Sequence, residues 1–306
     1  MEAARTYKKS KPINAISMPI NIVFNVVLII VTLLCILPIV LIFMISISDE
    51  RILIEQGYTF FPKKISFATY EYLFKDTASL LDAYKVTIFT TVVGTAISTA
   101  MTMMYAYPIS RKSFKYRNVF SFIIFFTMLF QGGLVPWYIL YTRYLHINDT
   151  LLALIMPGFV SAFNCLIIRT FFRQGLPDEI LDAAKVDGAG EFYTFVRIVI
   201  PLSTPAIATI ALFQALFYWN DWYICMLFIQ DSKLFNLQYS LYQALNSLEA
   251  LSSNSVNAAG VGSAVNVPTE TMRMAMAILS IGPIVLAYPF FQRYFVKGLT
   301  IGAVKG

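Results

Sequence analysis

The sequence predicts an all-α, polytopic membrane protein with six transmembrane helices, and two observations carry that prediction. Hydrophobic residues make up 58% of the 306-residue chain and charged residues 13%, roughly half the ~25% of a soluble domain. Mean hydropathy is +0.68. The apolar residues are also gathered into long runs. Residues 20–48 carry no charge over 29 positions, and 86–110 and 118–142 carry none over 25 each. About 20 apolar residues of helix cross a bilayer core. Continuous runs exclude a β-barrel, whose strands alternate in ~10-residue segments.

In chain order the predicted spans are 20–46, 86–108, 118–141, 150–168, 202–229 and 274–292. The first is too long for a signal peptide and is followed by no small-residue cleavage site. Pro108 ends the second before a tight turn, YPISRKSFKYR. The third contains Gln131-Gly132-Gly133 and Pro136, which read equally as a gating hinge or as irregular packing. Asn164 in the fourth and Gln214 in the fifth read as interhelical hydrogen-bonding groups. The fifth is the only span interrupted by a charge, Asp221. Of the connections, 47–85 is mixed in charge and rich in aromatics, too structured in composition for a bare linker. Residues 246–267, within the connection 230–273, are Ser/Asn/Gly-rich and read as a mobile loop that could reach a docked protein.

Basic residues set the sidedness. Fifteen of the 23 Lys and Arg fall on the N-terminal tail, the turn 109–117, the connection 169–200 and the C-terminal tail, against eight on the other face. The positive-inside bias places both termini in the cytoplasm. Residues 1–19 are then a cytoplasmic tail, 20–306 the membrane domain, and 47–85 and 230–273 external. The net charge of +6 belongs to this topology rather than to nucleic acid. Cys35, Cys165 and Cys225 each lie in an apolar run and make no CxxC pair. His146 is the sole histidine, so no His-based metal site is expected, and it reads as a loop residue. No Gly-Lys dipeptide occurs, so the chain has no Walker A loop. No catalytic cluster is visible.

The connection 169–200 is the most patterned stretch. Pro177 suits a first helical position, and Asp178 and Glu179 favour the positive end of the helix dipole. Ile180, Leu181, Ala184 and Val186 supply a modest apolar face, Gly188 and Gly190 end the helix, and a second short helix follows over about 191–199. An interfacial lipid anchor would be rich in Lys on its polar face. This helix carries Asp178, Glu179, Asp182 and Asp187 against Lys185, which favours a protein partner over an anionic leaflet.

Asp182-Ala183-Ala184, Gly188 six positions after Asp182, and Ile198 with Pro201 resemble the EAA loop of ABC importer membrane subunits. That pattern is Glu-Ala-Ala, three residues, Gly, nine residues, Ile-x-Leu-Pro. The chain has Asp182 for Glu and Ile200 for Leu, and both departures keep charge or bulk. PDEILDAAKVDGAGEFYTFVRIVIPLSTP, FQGGLVPWYILYTRYLHINDTLLALIMPG, ALFYWNDW and the ending YPFFQRYFVKGLTIGAVKG are similar to the carbohydrate branch, the MalG-like and LplC-like subunits. The resemblance covers the chain from about residue 20. It implies a type I importer permease fold in the cell membrane of a Gram-positive bacterium, moving a carbohydrate, an oligosaccharide, handed over by an external solute-binding protein. It also implies a second related permease and separate ATPase subunits that bind ATP and Mg. Asp182, Ala183, Ala184, Lys185, Asp187, Gly188 and Gly190 would form the coupling helix and turn that dock on the ATPase.

For cargo, Tyr218-Trp219-Asn220-Asp221-Trp222 combines rings that stack on sugar C–H faces with amide and acid groups that bond hydroxyls. An aromatic belt at the outer interface explains the same residues as well. A secondary transporter would show internal repeats and charges in several spans, and only Asp221 fits. A membrane enzyme would need a polar cluster at one face. Import of a non-sugar stays open, because the EAA loop reports coupling and not cargo.

Overall fold

Each apolar run has to cross about 30 Å of hydrocarbon, and the chain does this in two ways, with continuous helices and with broken ones. The structure, a computed structural model, describes residues 18–257 and 269–303. Its helices are α1 (Met18–Ser46), α2 (Glu50–Gln56), α3 (Ala68–Leu73), α4 (Thr77–Ser110), α5 (Arg117–Leu129), α6 (Leu134–Ile139), α7 (Leu151–Ile155), α8 (Ala162–Gly175), α9 (Asp178–Val186), α10 (Glu191–Thr194), α11 (Ile200–Leu202), α12 (Thr204–Trp219), α13 (Tyr223–Phe228), α14 (Leu237–Asn257) and α15 (Thr269–Ala303). Among the described residues there is no strand, only an isolated bridge between Ser48 and Ile65.

Among the described residues, α1 and α4 are long and apolar enough to cross a membrane unbroken, and three more stretches pass only as bent pairs. The predicted span 118–141 is divided between α5 and α6 with a 110° bend. Gly133 at φ +88° makes that corner, in the Gly-Gly-Pro region where the sequence suggests a break. Span 150–168 bends by 46° between α7 and α8, and the stretch preceding α12 meets it at 82°. The fifth predicted span is therefore not one unkinked helix from 202 to 229. α12 stops at Trp219, and α13 restarts at Tyr223. Pro108 does not end α4, which continues to Ser110, and Pro177 precedes α9 as its N-cap. The loop reading of 246–267 fails over 246–257, which continue α14; 258–268 lie outside the described residues. α15 covers the sixth predicted run, with Pro283 and Pro289 inside it.

α4 is the helix on which the others assemble, packing chiefly on α12 and α8 and also meeting α5, α7 and α14. One side chain fixes this packing. Tyr218 of α12 is 2% exposed, and its hydroxyl donates to the Ile155 carbonyl at 2.8 Å. A Cβ on Gly94 of α4 would lie 2.6 Å from the Tyr218 ring, and one on Gly158 would lie 2.6 Å from its Cζ. Both positions must be glycine for the ring to fit. α1, by contrast, packs mainly along α15 and leaves almost every side chain from Met18 to Ile39 exposed, an arrangement that only a lipid environment or a protein partner sustains.

At one end of the bundle the segment 47–67 is tied down. Asp49 caps α2 and pairs with Lys64 at 2.7 Å. The Glu50 carboxylate accepts the Glu270 and Thr271 N–H groups at 3.0 and 2.9 Å and the Thr271 hydroxyl at 2.7 Å. That places an anion on the positive N-terminus of α15. Tyr58 donates to Glu270 at 2.8 Å. The connection is ordered, as its composition suggests.

Gly94→Ala should lower the melting temperature of the detergent-purified chain, at an overpacking cost of about 1–3 kcal/mol. Adding Tyr218→Leu should recover part of that loss, since the ring is what the methyl meets. Equal destabilisation by Gly94→Ala with and without Tyr218 would show that the close approach is not what holds this contact.

Candidate functional site

The EAA-like segment folds as the spacing suggests. Asp178 and Glu179 begin α9, and Lys185 lies in its last turn. The helix ends in a Schellman pattern, with Gly188 N–H to the Lys185 carbonyl at 3.0 Å and Ala189 N–H to the Ala184 carbonyl at 2.9 Å. Gly188 has φ +78°, and a Cβ there would meet nothing within 4 Å. The constraint at this position is the backbone and not space. Gly190 has an ordinary φ of −69° and starts α10.

α9 has two faces. Leu181 (1% exposed) and Ala184 point inward, and Leu181 joins a buried cluster with Ala106 and Tyr107 of α4 and Ile168 and Phe172 of α8. Outward lie Ile180 and Val186 (88% exposed), with Asp182, Ala183, Lys185 and Asp187 among them, and Phe192 and Tyr193 of α10 are exposed as well. The predicted apolar face is thus divided between two directions. Beside it runs a groove of ≈ 650 Å³ lined by Ile180, Ala183, Asp187, Gly188 and Tyr193.

Polar contacts fasten this segment to the helix ends. Lys112 reaches Asp178 at 2.8 Å, and Lys185 reaches Glu191 at 3.2 Å. Tyr107 donates to the other Glu191 oxygen at 2.9 Å. The Lys112 ammonium holds the Asp178 carboxyl below its usual range. The Tyr107 hydrogen bond, helped by Lys185, does the same for Glu191.

The second predicted group is divided by the break after α12. Tyr218 and Trp219 are buried, and their polar atoms are engaged, Trp219 Nε1 donating to the Ser280 carbonyl at 2.9 Å. Asn220 is exposed and donates to the Leu216 carbonyl at 2.9 Å. Asp221 caps α13, accepting the Ile224 N–H at 3.0 Å, and its other oxygen accepts Asn236 Nδ2 at 3.3 Å. It also lines a cavity of ≈ 640 Å³ walled by Trp137, Tyr141, Phe159, Phe217 and Tyr223. Trp222 faces a different cleft of ≈ 270 Å³, its ring 4.7 Å from that of Tyr242.

Residues 104–301 match the family of binding-protein-dependent transport system inner membrane components. The chain belongs to this family. Protein LplC of Bacillus subtilis (strain 168) is 39% identical over 273 residues, 89% of this chain and 90% of the relative. The polygalacturonan/rhamnogalacturonan transport system permease protein YtcP of the same organism is 34% identical over 274 residues, 90% and 94%. Among solved structures, a chain of a bacterial ABC transporter involved in the import of the acidic polysaccharide alginate is similar at TM-score 0.75 and 31% identity, covering 93% of this chain and all of that one.

Within the permease, the structure leaves Asp182, Ala183, Lys185, Asp187, Gly188 and Gly190 exposed, buries Ala184, and separates Trp222 from Asp221. The sequence reading missed Trp137, Tyr141 and Phe159. Trp137 and Tyr141 surround the buried Phe228 ring at 5.1 Å each. A Trp four residues beyond a Gly-Gly break was the available signal. His146 sits exposed in a loop at φ 50°, and the three cysteines are free. Among the described residues no group of His, Cys, Asp and Glu could hold a metal ion.

Because Asp178 and Glu191 titrate lower in the folded permease, their contribution is present above their unfolded pKa values of about 4 and is lost as pH falls through the lower folded values. The melting-temperature gap between wild type and an Asp178→Asn/Glu191→Gln variant should hold across about pH 5 to 8 and close below about pH 4. A gap that persists in acid would show that these carboxylates do not fasten the segment through charge.

Proposed function

We propose that the chain is the six-span permease subunit of an ATP-driven importer for an oligosaccharide, with both termini in the cytoplasm of a Gram-positive cell. The observation that carries this reading is α9. One face is seated on the ends of α4 and α8 through Leu181, with Ala184 also buried, and the face of Ile180, Ala183 and Val186 is bare. A short helix seated in this way passes movement at its outer face directly to two bundle helices. The partner is a separate ATPase subunit that binds ATP and Mg. A second related permease completes the pore, and an external solute-binding protein delivers the cargo. Docking rests on apolar fit, since exposed ion pairs contribute only ~0–1 kcal/mol.

The cavity at Asp221 supports a saccharide cargo: its five aromatic side chains and one carboxylate match the C–H faces and hydroxyls of a sugar. The similarity to the polygalacturonan/rhamnogalacturonan permease YtcP and to the alginate importer favours a polysaccharide-derived cargo. Asp221 has two roles in this reading, as α13 cap and as cavity wall. Tyr218 and Trp219 serve packing, while Asn220 and Trp222 stand beside the path.

Gly188→Ala should cost about 1–2 kcal/mol through left-handed strain alone. Gly188→Trp adds bulk on the docking surface, so the variant should still insert but uncouple ATP hydrolysis from uptake. Normal uptake by Gly188→Trp in reconstituted vesicles would count strongly against coupling through α9. Asp221→Asn keeps a good N-cap and removes the charge. Uptake should fall at least about tenfold, the discrimination a lost charged hydrogen bond provides, with basal ATP hydrolysis unchanged. Unaltered uptake kinetics would leave Asp221 as a cap and nothing more.

A further inference from the structure

Beside the coupling segment, lined by none of the residues of the groove at Gly188, a cleft of ≈ 570 Å³ opens where α4 ends. Met104, Tyr107, Phe114, Phe192 and Phe195 make it mainly apolar, and Arg111, Lys185 and Glu191 stand in its wall. Arg111 is short of partners. Its side chain is 13% exposed, and the nearest carboxylate oxygen, on Asp178, is 3.8 Å away. Asp178 is already held by Lys112 at 2.8 Å. Arg111 Nε is buried and has no hydrogen-bond partner among the described residues. A guanidinium withdrawn from water calls for an anion with oxygens to spare. Lys185 stands near with its charge shared with Glu191 at 3.2 Å. Taking Arg111, Lys112 and Lys185 against Asp178 and Glu191, three cations face two carboxylates, and the cleft keeps one positive charge.

The rest of the lining says what kind of anion fits. Inorganic phosphate or a sugar phosphate would leave the rings of Phe114 and Phe192 uncovered. An amphiphile with a phosphate head and a hydrocarbon body covers both. The cleft also lies at a membrane boundary: α4 ends at Ser110, and Met104, six residues earlier, is 60% exposed. A chain leaving the cleft along Met104 enters hydrocarbon.

We infer that this cleft holds one anionic phospholipid, its phosphate on Arg111 and beside Lys185 and its acyl chain along Phe114 and Met104. The lipid holds the Lys185–Glu191 junction between α9 and α10 in place and so sets how firmly the coupling segment is seated. This last clause rests on the coupling reading of α9; the binding itself does not.

Two measurements separate these claims. The purified chain, exchanged into nanodiscs of phosphatidylcholine with or without phosphatidylglycerol, is released and weighed by native mass spectrometry. Wild type should keep one phosphatidylglycerol that Arg111→Gln retains about fivefold less, the factor for one basic residue at an anionic surface. Arg111→Lys, which keeps the charge and loses the planar fork, should lie between and serves where Arg111→Gln melts early. Equal retention by all three overturns the site. Displacement of the lipid signal by millimolar glycerol phosphate overturns the lipid as occupant in favour of a soluble phosphate. In the assembled importer, ATP hydrolysis stimulated by loaded binding protein should rise with phosphatidylglycerol in wild type and stay flat in Arg111→Gln. Lipid retention without that rise overturns the effect on coupling. Retention measured on the chain alone stands whether or not the importer assignment does.

Discussion

A polypeptide that breaks its helices inside hydrocarbon must satisfy the carbonyl and amide groups that each break releases, and the rest of this structure follows from how that is done. Side chains from the end of α12 and the segment after it do most of it. Tyr218 donates to the Ile155 carbonyl beside the break between α7 and α8, and Asp221 accepts the Ile224 N–H in the first turn of α13, while Trp219 ties the end of α12 to the Ser280 carbonyl of the unbroken α15. Asn236 binds the Asp221 carbonyl at 2.5 Å and the Tyr239 N–H at 3.0 Å, joining the starts of α13 and α14. These are large, mostly rigid side chains, so each hydrogen bond also fixes a packing distance. The glycines at 94 and 158 are the complement that lets the helices come close enough for those bonds to form.

The two candidate functional regions share this frame. α4 carries the Leu181 cluster at one end through Ala106 and Tyr107. Nearer its other end it carries Val86 in the cluster with Phe228 and Tyr141, and Tyr141 also lines the Asp221 cavity. A close-packed interior transmits displacement rather than absorbing it. The segment that would feel the ATPase and the cavity that would hold the cargo are therefore connected by one continuous helix.

The sequence made the span regions, the ordered segment 47–67 and the whole of α9 with its glycine turn legible, because length, charge and the Asp182–Gly188 spacing are local signals. The corner at Gly133 was legible for the same reason. The break after Trp219 was not. FYWNDWY is apolar enough to continue a helix, and recognising Asp221 as a cap requires knowing that the backbone restarts at Tyr223. α14 was hidden by its Ser and Asn content, which reads as loop. Its seam of Leu237, Leu241, Ala244 and Leu245 against Trp219 and Met272 has helical spacing and outweighs the composition. The division of α9 into an inward Leu181 and an outward Ile180 depends on where α8 ends, which no local pattern states.

Glu50 carries a temporal consequence. Its carboxylate waits for N–H groups that lie 220 and 221 positions later in the chain. At about 5–20 residues per second, a ribosome needs some 10–45 seconds to make the intervening stretch. Throughout that interval α1 and α2 are in place and the last helix does not exist. The clasp between the two ends of the fold closes last, and a nascent permease stays open along the α1–α15 seam until synthesis is nearly done.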